Sequence, residues 1–178
     1  LPPFKITRHR AKDSRIDSDL EDLFGVPSMS ATTLHDVKRQ TTEARAEMLA
    51  SIVSAEPDKP WIIWTDTNYE SDAVCRVLPD AVEVRGSQSA DEKEERLESF
   101  STGKVRVLVS KPSLSGFGMD WSHCANMAFL GRSYSYETFY QAIRRCWRFG
   151  QSKTVNVHLI VAEGEDQIGR VIDRKADD

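Results

Sequence analysis

The sequence predicts an α/β fold, a three-layer sandwich with a mostly parallel central sheet covered by helices on both faces. Three observations predict it. Short apolar runs recur along the chain: W-I-I-W (61–64), A-V-E-V-R (81–85), V-R-V-L-V (105–109), N-M-A-F-L (126–130) and V-N-V-H-L-I-V (155–161). Runs of this length and character suit strands buried in a sheet. Helical stretches opened by capping signals lie between them, so strand and helix alternate, as a parallel sheet requires.

The elements follow in order. Residues 1–31 read as a connector: Pro2-Pro3, a short strand-like F-K-I-T, then a polar stretch ending near Gly25 and Pro27; residues 32–178 form the domain. Thr33 and Asp36 make a weak capping box for a long helix whose apolar positions Leu34, Val37, Ala44, Met48 and Ile52 keep helical spacing, until Pro57 and Pro60 stop it. After W-I-I-W, Thr67 and Glu70 cap a helix that ends near Leu78, before Pro79. A-V-E-V-R closes at Gly86, and Ser89 with Glu92 caps an acidic helix through Phe100. V-R-V-L-V leads into a loop rich in Gly and Ser, and N-M-A-F-L into an arginine-bearing helix from about Ser135. A polar helix from about Glu165 follows the last strand, and there is no internal repeat or low-complexity segment. Ligands of such folds lie beyond the carboxyl ends of the strands. The loop 110–121, the turns at Thr65–Asn68 and Gly86–Ser89, and the arginine helix are therefore expected to converge on that edge.

At 178 residues, 39% hydrophobic and 29% charged, the chain suits one ordinary globular domain. It opens on Leu1 rather than Met, as a piece of a longer polypeptide would. No apolar run approaches the roughly 20 residues of a membrane helix, and no signal-peptide pattern opens the chain. Cys75, Cys124 and Cys146, with four scattered histidines, make neither a disulfide framework nor a zinc site, so a reducing, cytoplasmic setting is expected (the host cytoplasm for a viral protein). The net charge is −4, but the charges are segregated. Acids gather in 91–98 and from Glu163 onward, while 99–119 and 138–162 hold only basic charges.

The most informative run is Q-A-I-R-R-C-W-R-F-G-Q (141–151). On a helix, Gln141 and Arg145, and Arg144 and Arg148, stand four apart, with Arg145 and Arg148 three apart, so they share a flank. Three guanidiniums there repel one another unless an anion or carboxylates from elsewhere in the fold neutralise them. Guanidinium forks match phosphate oxygens bidentately, which makes polyphosphate one partner and distant acids the other.

The chemistry is bounded by what is missing. A self-sufficient nucleotide hydrolase of this class needs G-x-x-x-x-G-K-[ST]. The only Gly-Lys, Gly103-Lys104, has Glu98 at the first glycine and Val105 at the hydroxyl. Asp66 follows an apolar strand, where a magnesium ligand could stand, but helix capping accounts for it better. Gly116-Phe117-Gly118 lacks the third glycine of a dinucleotide fold. No metal site is expected within the chain, and alone it is expected to hydrolyse nothing.

Together the pieces resemble the second, C-terminal RecA-like lobe of a superfamily 2 helicase, nearest the Swi/Snf type of DNA translocase. Q-A-I-R-R-C-W-R-F-G-Q resembles that family's sixth motif, S-G-F-G-M-D its fifth and W-I-I-W-T the strand of its fourth. V-R-G-S-Q-S-A-D-E-K-E-E-R-L-E-S-F resembles the intervening strand, turn and helix, and L-P-P the segment joining the two lobes. D-T-N-Y-E and the fifth-motif segment resemble helicases carried by bacteriophages. The resemblance implies ATP and Mg²⁺ held between lobes, with the phosphate loop and magnesium carboxylates on an N-terminal RecA-like lobe of the same polypeptide. It implies that Arg145 and Arg148 reach the γ-phosphate, with Gln141 orienting them, and that Gly116, Gly118 and Asp120 lie beside the nucleotide. It also implies contacts to the backbone of duplex or single-stranded DNA from Thr65, Asn68, Gly86, Ser87 and Lys111, and no membrane partner. Arg144 is not a motif position, and Trp147 reads as packing. Lys111-Pro112 and Leu114 depart from the usual start of the fifth motif, and Trp121, replacing a smaller aliphatic residue, is expected in the core. Two rival readings stand beside this one: a non-catalytic RecA-like module that binds nucleic acid or protein, and a small nucleotide enzyme with Asp66 as metal ligand.

Overall fold

A computed structural model of the chain describes residues 1–12, 39–114, 119–130 and 135–162. Six strands form one sheet in which every pairing is parallel. They are β1 (Phe4–Ala11), β2 (Trp61–Trp64), β3 (Val82–Val84), β4 (Val107–Ser110), β5 (Asn126–Leu130) and β6 (Val155–Ala162), in the order β1-β6-β5-β2-β4-β3. The helices are α1 (Thr42–Ser54), α2 (Asn68–Val77), α3 (Ala90–Ser101) and α4 (Tyr136–Ile143). The expected RecA-like α/β sandwich with covered faces is therefore present. Its sheet holds a sixth strand, and its pairings are all parallel rather than mostly so.

The sixth strand is F-K-I-T and its continuation. It pairs with β6 over eight residues, Phe4 opposite Val155 through Ala11 opposite Ala162. Part of the expected connector thus completes the sheet as an edge strand.

The pleat sorts each strand between two cores. Trp61 and Ile63 of β2 face α1 and α2, joining Leu49, Val53, Val74, Val109 and Ile160. Ile62 and Trp64 face the other way, joining Leu97 and Phe100 of α3, Ile143 of α4, and Trp121. Trp121 is fully buried, its ring 5.5 Å from Phe100 and its Nε1 donating to Ser101 Oγ at 2.9 Å. The core position expected for it is the one found.

Both strong capping boxes form: Thr67 Oγ1 accepts from Glu70 N while Glu70 reaches back to Thr67 N, and Ser89 with Glu92 does the same. The Thr33–Asp36 cap and the helix from Glu165 lie outside the described residues.

The arginine helix ends earlier than its spacing suggests. α4 begins behind its N-cap Ser135, as expected, but stops at Ile143 with Arg144 as C-cap. Residues 144–150 then run through successive turns. Arg148 N bonds Cys146 O at 3.2 Å, Gln151 N bonds Arg148 O at 3.0 Å, and Gly150 takes φ +97°. That left-handed glycine lets the chain reverse into β6, where a side chain would be strained. The three arginines are consequently not stacked on one α-helical flank.

Candidate functional site

Although the helix ends, the turns still gather the arginines. Gln141, Arg144, Arg145, Arg148 and Phe149 line one open groove of about 340 Å³. Arg145 is fixed through its backbone, whose carbonyl accepts from Trp121 N at 3.2 Å. Its guanidinium has no hydrogen-bond or ion-pair partner among the described residues, and burial, then the charge of Arg148, pulls it below its ordinary pKa. Arg148 is held from the side: Nη1 donates to Met119 O at 3.2 Å, and Nε stands 3.7 Å from Asp120 Oδ1. Asp120 Oδ1 accepts from Ser122 N at 2.9 Å, and this bond above all holds the carboxyl below its usual range, with Arg148 contributing. The groove thus holds three guanidiniums, of which Arg148 is braced by a carboxylate and Arg145 meets no counter-charge among the described residues. An arriving anion relieves their repulsion and meets guanidinium forks.

Asp120 is an acid from outside 138–162, so one distant carboxylate does approach the cluster. It reaches Arg148 at long range and leaves Arg145 without a counter-charge among the described residues. Gly116 and Gly118 lie outside the described residues.

Trp147 ties the groove to the start of the chain. Its Nε1 donates to Pro2 O at 2.6 Å, and its ring meets Phe4 edge-on at 4.8 Å. Gln151 is buried, its Nε2 donating to Cys124 O at 3.0 Å and Cys146 O at 3.1 Å. These contacts lie near the amino ends of β1 and β5. α4 starts after β5 and must run back across the sheet to reach β6, so its last residues arrive at the amino edge.

The other candidates stand at the carboxyl edge. Asn68 is exposed at the first position of α2, Gly86 and Ser87 are exposed beyond β3, and half-buried Lys111 follows β4. A Cβ built on Gly86 would come 3.9 Å from Leu114 Cδ2, so the turns after β3 and β4 are neighbours. Convergence of all pieces on one edge is therefore corrected: the arginine groove and the strand-end residues occupy opposite ends. Thr65 also departs from its expected role. It is fully buried, its Oγ1 2.6 Å from Ser71 Oγ, so it braces the β2–α2 turn and offers nothing to solvent.

Two features of this region were missed from the sequence. Phe149 is 94% exposed on the groove's rim, and an aromatic residue just before a turn glycine was the available signal. Arg45 and Glu70 form a fully buried ion pair at 3.2 Å behind the carboxyl edge, with no local sign of their pairing. Among the described residues, no three His, Cys, Asp or Glu side chains cluster to hold a metal.

The family model of the helicase conserved C-terminal domain matches residues 44–150. The chain belongs to this family. The matched span of the helicase C-terminal domain runs from α1 through the arginine turns. Two solved structures share its fold. One is described as the C-terminal part of the Fun30 ATPase domain, with a TM-score of 0.63 and 15% identity over 88% of this chain. The other is the C-terminal domain of the DEAD-box protein Dbp5, with a TM-score of 0.56 and 14% identity over 98% of this chain and 84% of that one. The helicase C-terminal domain spans 52% of the length of the Fun30 chain. No curated protein sequence matches it.

Proposed function

We propose that this helicase C-terminal domain is the second motor lobe of an ATP-dependent DNA helicase or translocase of the Swi/Snf type, carried by a bacteriophage. The observation that carries the reading is the arginine groove: Arg145, without a counter-charge among the described residues, beside Arg148, which Met119 O and Asp120 hold in place. Fingers of this kind stabilise negative charge developing on a transferred phosphoryl group, and rigid placement avoids reorganisation during the reaction. Gln141 lines the same groove and helps to set their orientation. Gly116 and Gly118 belong beside the nucleotide by their motif position.

ATP enters this site from an N-terminal RecA-like lobe of the same polypeptide, and the Mg²⁺ of the reaction belongs to that lobe. Asp120, engaged by Ser122 N and Arg148, is not assigned to the metal. Exposed Phe149 suits the rim of an interface that closes over the groove. Asn68, Gly86, Ser87 and Lys111 touch the DNA backbone at the opposite edge, while Thr65 supports Asn68's turn from within. Cycles of closure on ATP and reopening after hydrolysis move the lobes along the strand.

The test is DNA-stimulated ATP hydrolysis by the whole polypeptide, compared with its Arg148→Ala and Arg145→Ala variants. Each variant should lose about a thousand-fold in turnover while still binding ATP. Unimpaired hydrolysis in both would leave a non-catalytic nucleic-acid-binding or protein-binding module as the better reading.

A further inference from the structure

Arg144 has no place among the motif positions, yet its guanidinium is engaged. Its Cζ lies 5.8 Å from the centroid of the Tyr140 ring, and its Nη1 lies 3.5 Å from Tyr140 Oη. One turn earlier, Tyr136 is stacked on Tyr140, with centroids 6.1 Å apart and planes only 13° from parallel. Tyr136, Tyr140 and Arg144 are spaced i, i+4, i+8, which sets them in one row along α4. The row is anchored at its middle, where Tyr140 meets Trp147 edge-on at 6.4 Å and Trp147 is bonded to Pro2. It is open at its outer end, where Tyr136 is 81% exposed.

We propose that this row is a stacking ladder for an unpaired base of a nucleic-acid strand, with Tyr136 as its outer platform. Three observations select that occupant. The outer ring is a flat π-face held nearly parallel to a second ring, which suits a planar partner more than an irregular apolar side chain. The row ends in a cation: Arg144 lies over the second ring, in line with the outer one. A ring platform in line with a guanidinium is a combination that holds single strands, with stacking on the bases and charge on the phosphates. Position is the third. α4 starts at the carboxyl edge, packs against the Pro112–Leu114 turn directly after Lys111, and ends in the arginine groove. A base on Tyr136 would therefore touch the one element that joins the strand-end residues to the arginines.

The inference rests on the reading of this domain as a nucleic-acid-binding lobe, and its test separates the two. Fluorescence anisotropy would measure binding of labelled oligothymidylate, and of an abasic strand of equal length and charge, to this chain at low salt. Tyr136→Ala should bind oligothymidylate about five- to tenfold more weakly, match wild type on the abasic strand, and be rescued by Tyr136→Phe. The side chain is exposed and Ala is the better helix former, so a folding defect would not mimic this pattern. Equal binding of both strands by wild type and Tyr136→Ala overturns the ladder and leaves Tyr136 as a contact for the other lobe. Absence of binding to either strand overturns the nucleic-acid reading along with it.

Discussion

Arg45 and Glu70 show how much a single pair supports behind the strand-end edge. Both side chains are fully buried, and Arg45 also donates to Thr41 Oγ1 at 3.2 Å and Thr42 Oγ1 at 3.3 Å. Glu70 divides its carboxylate. Oε1 faces Arg45, while Oε2 accepts from Asp66 N at 2.8 Å and Thr67 N at 3.2 Å, closing the turn that presents Asn68. Breaking a buried ion pair by removing one member costs about 3–5 kcal/mol, whereas replacing both with apolar groups of similar volume is often close to neutral. Glu70→Ala should therefore lower unfolding free energy by about 3–5 kcal/mol in denaturant titration, and Arg45→Met with Glu70→Met should recover only the part that belongs to the ion pair, since Asp66 N and Thr67 N still lose their acceptor. A loss below about 1 kcal/mol for Glu70→Ala would mean water already reaches the pair. In the sequence Glu70 was visible as a capping residue, because Thr67 stands three positions before it. Its partner was not, because Arg45 is 25 residues away and only α1 lying against α2 joins them.

Among the elements, β1 is held by contacts that change with pH. His9 Nε2 and His158 Nδ1 stand 2.9 Å apart with their rings stacked, so at least one ring nitrogen between them must be unprotonated. Burial lowers both pKa values, and for His158 the neighbouring His9 adds to it. Glu56 opposes the shift at His158 and Lys5 reinforces it, while Thr7 on β1 is uncharged. A histidine whose folded pKa is depressed binds fewer protons folded than unfolded, so stability is full above about pH 6.5 and falls as the pH drops below it. Amide exchange in β1 should accelerate between neutral and mildly acid pH more than exchange in β2, and His9→Gln should flatten that difference. Equal acceleration in β1 and β2 would locate the acid-sensitive groups elsewhere. This strand also marks where local reading stops. The interior strands β2, β4 and β5 announce themselves as apolar runs because both faces are buried. β1 is an edge strand of mixed exposure whose pairing partner lies about 150 residues downstream, so F-K-I-T looks strand-like without revealing which sheet it joins. α4 shows the converse: its N-cap is written at Ser135, but its end at Ile143 follows from Gln151 and Gly150 turning the chain into β6, a tertiary demand that helical spacing cannot encode.

Across the whole molecule, parallel topology separates two groups of residues that sequence position alone would place together. The arginine groove sits at the amino edge beneath the end of α4, whereas Asn68, Gly86, Ser87 and Lys111 stand at the carboxyl edge. A chain of net charge −4 binds a polyanion only through such local patches, so its affinity must fall steeply as salt rises. Each phosphate neutralised contributes about 0.7–0.9 to the slope of log affinity against log salt. Lys111→Ala should weaken DNA binding and lower that slope by about one phosphate's worth, because Lys111 follows β4 at the strand-end edge, in the turn that neighbours Gly86. Arg145→Ala should leave the slope unchanged in the absence of nucleotide, since its groove is reserved for a different anion at the far end. Titrations of both variants across a range of salt concentrations make the comparison direct. If Arg145→Ala flattens the slope as much as Lys111→Ala does, the nucleic acid runs through the arginine groove itself, and the division of the domain into a nucleotide end and a nucleic-acid end fails.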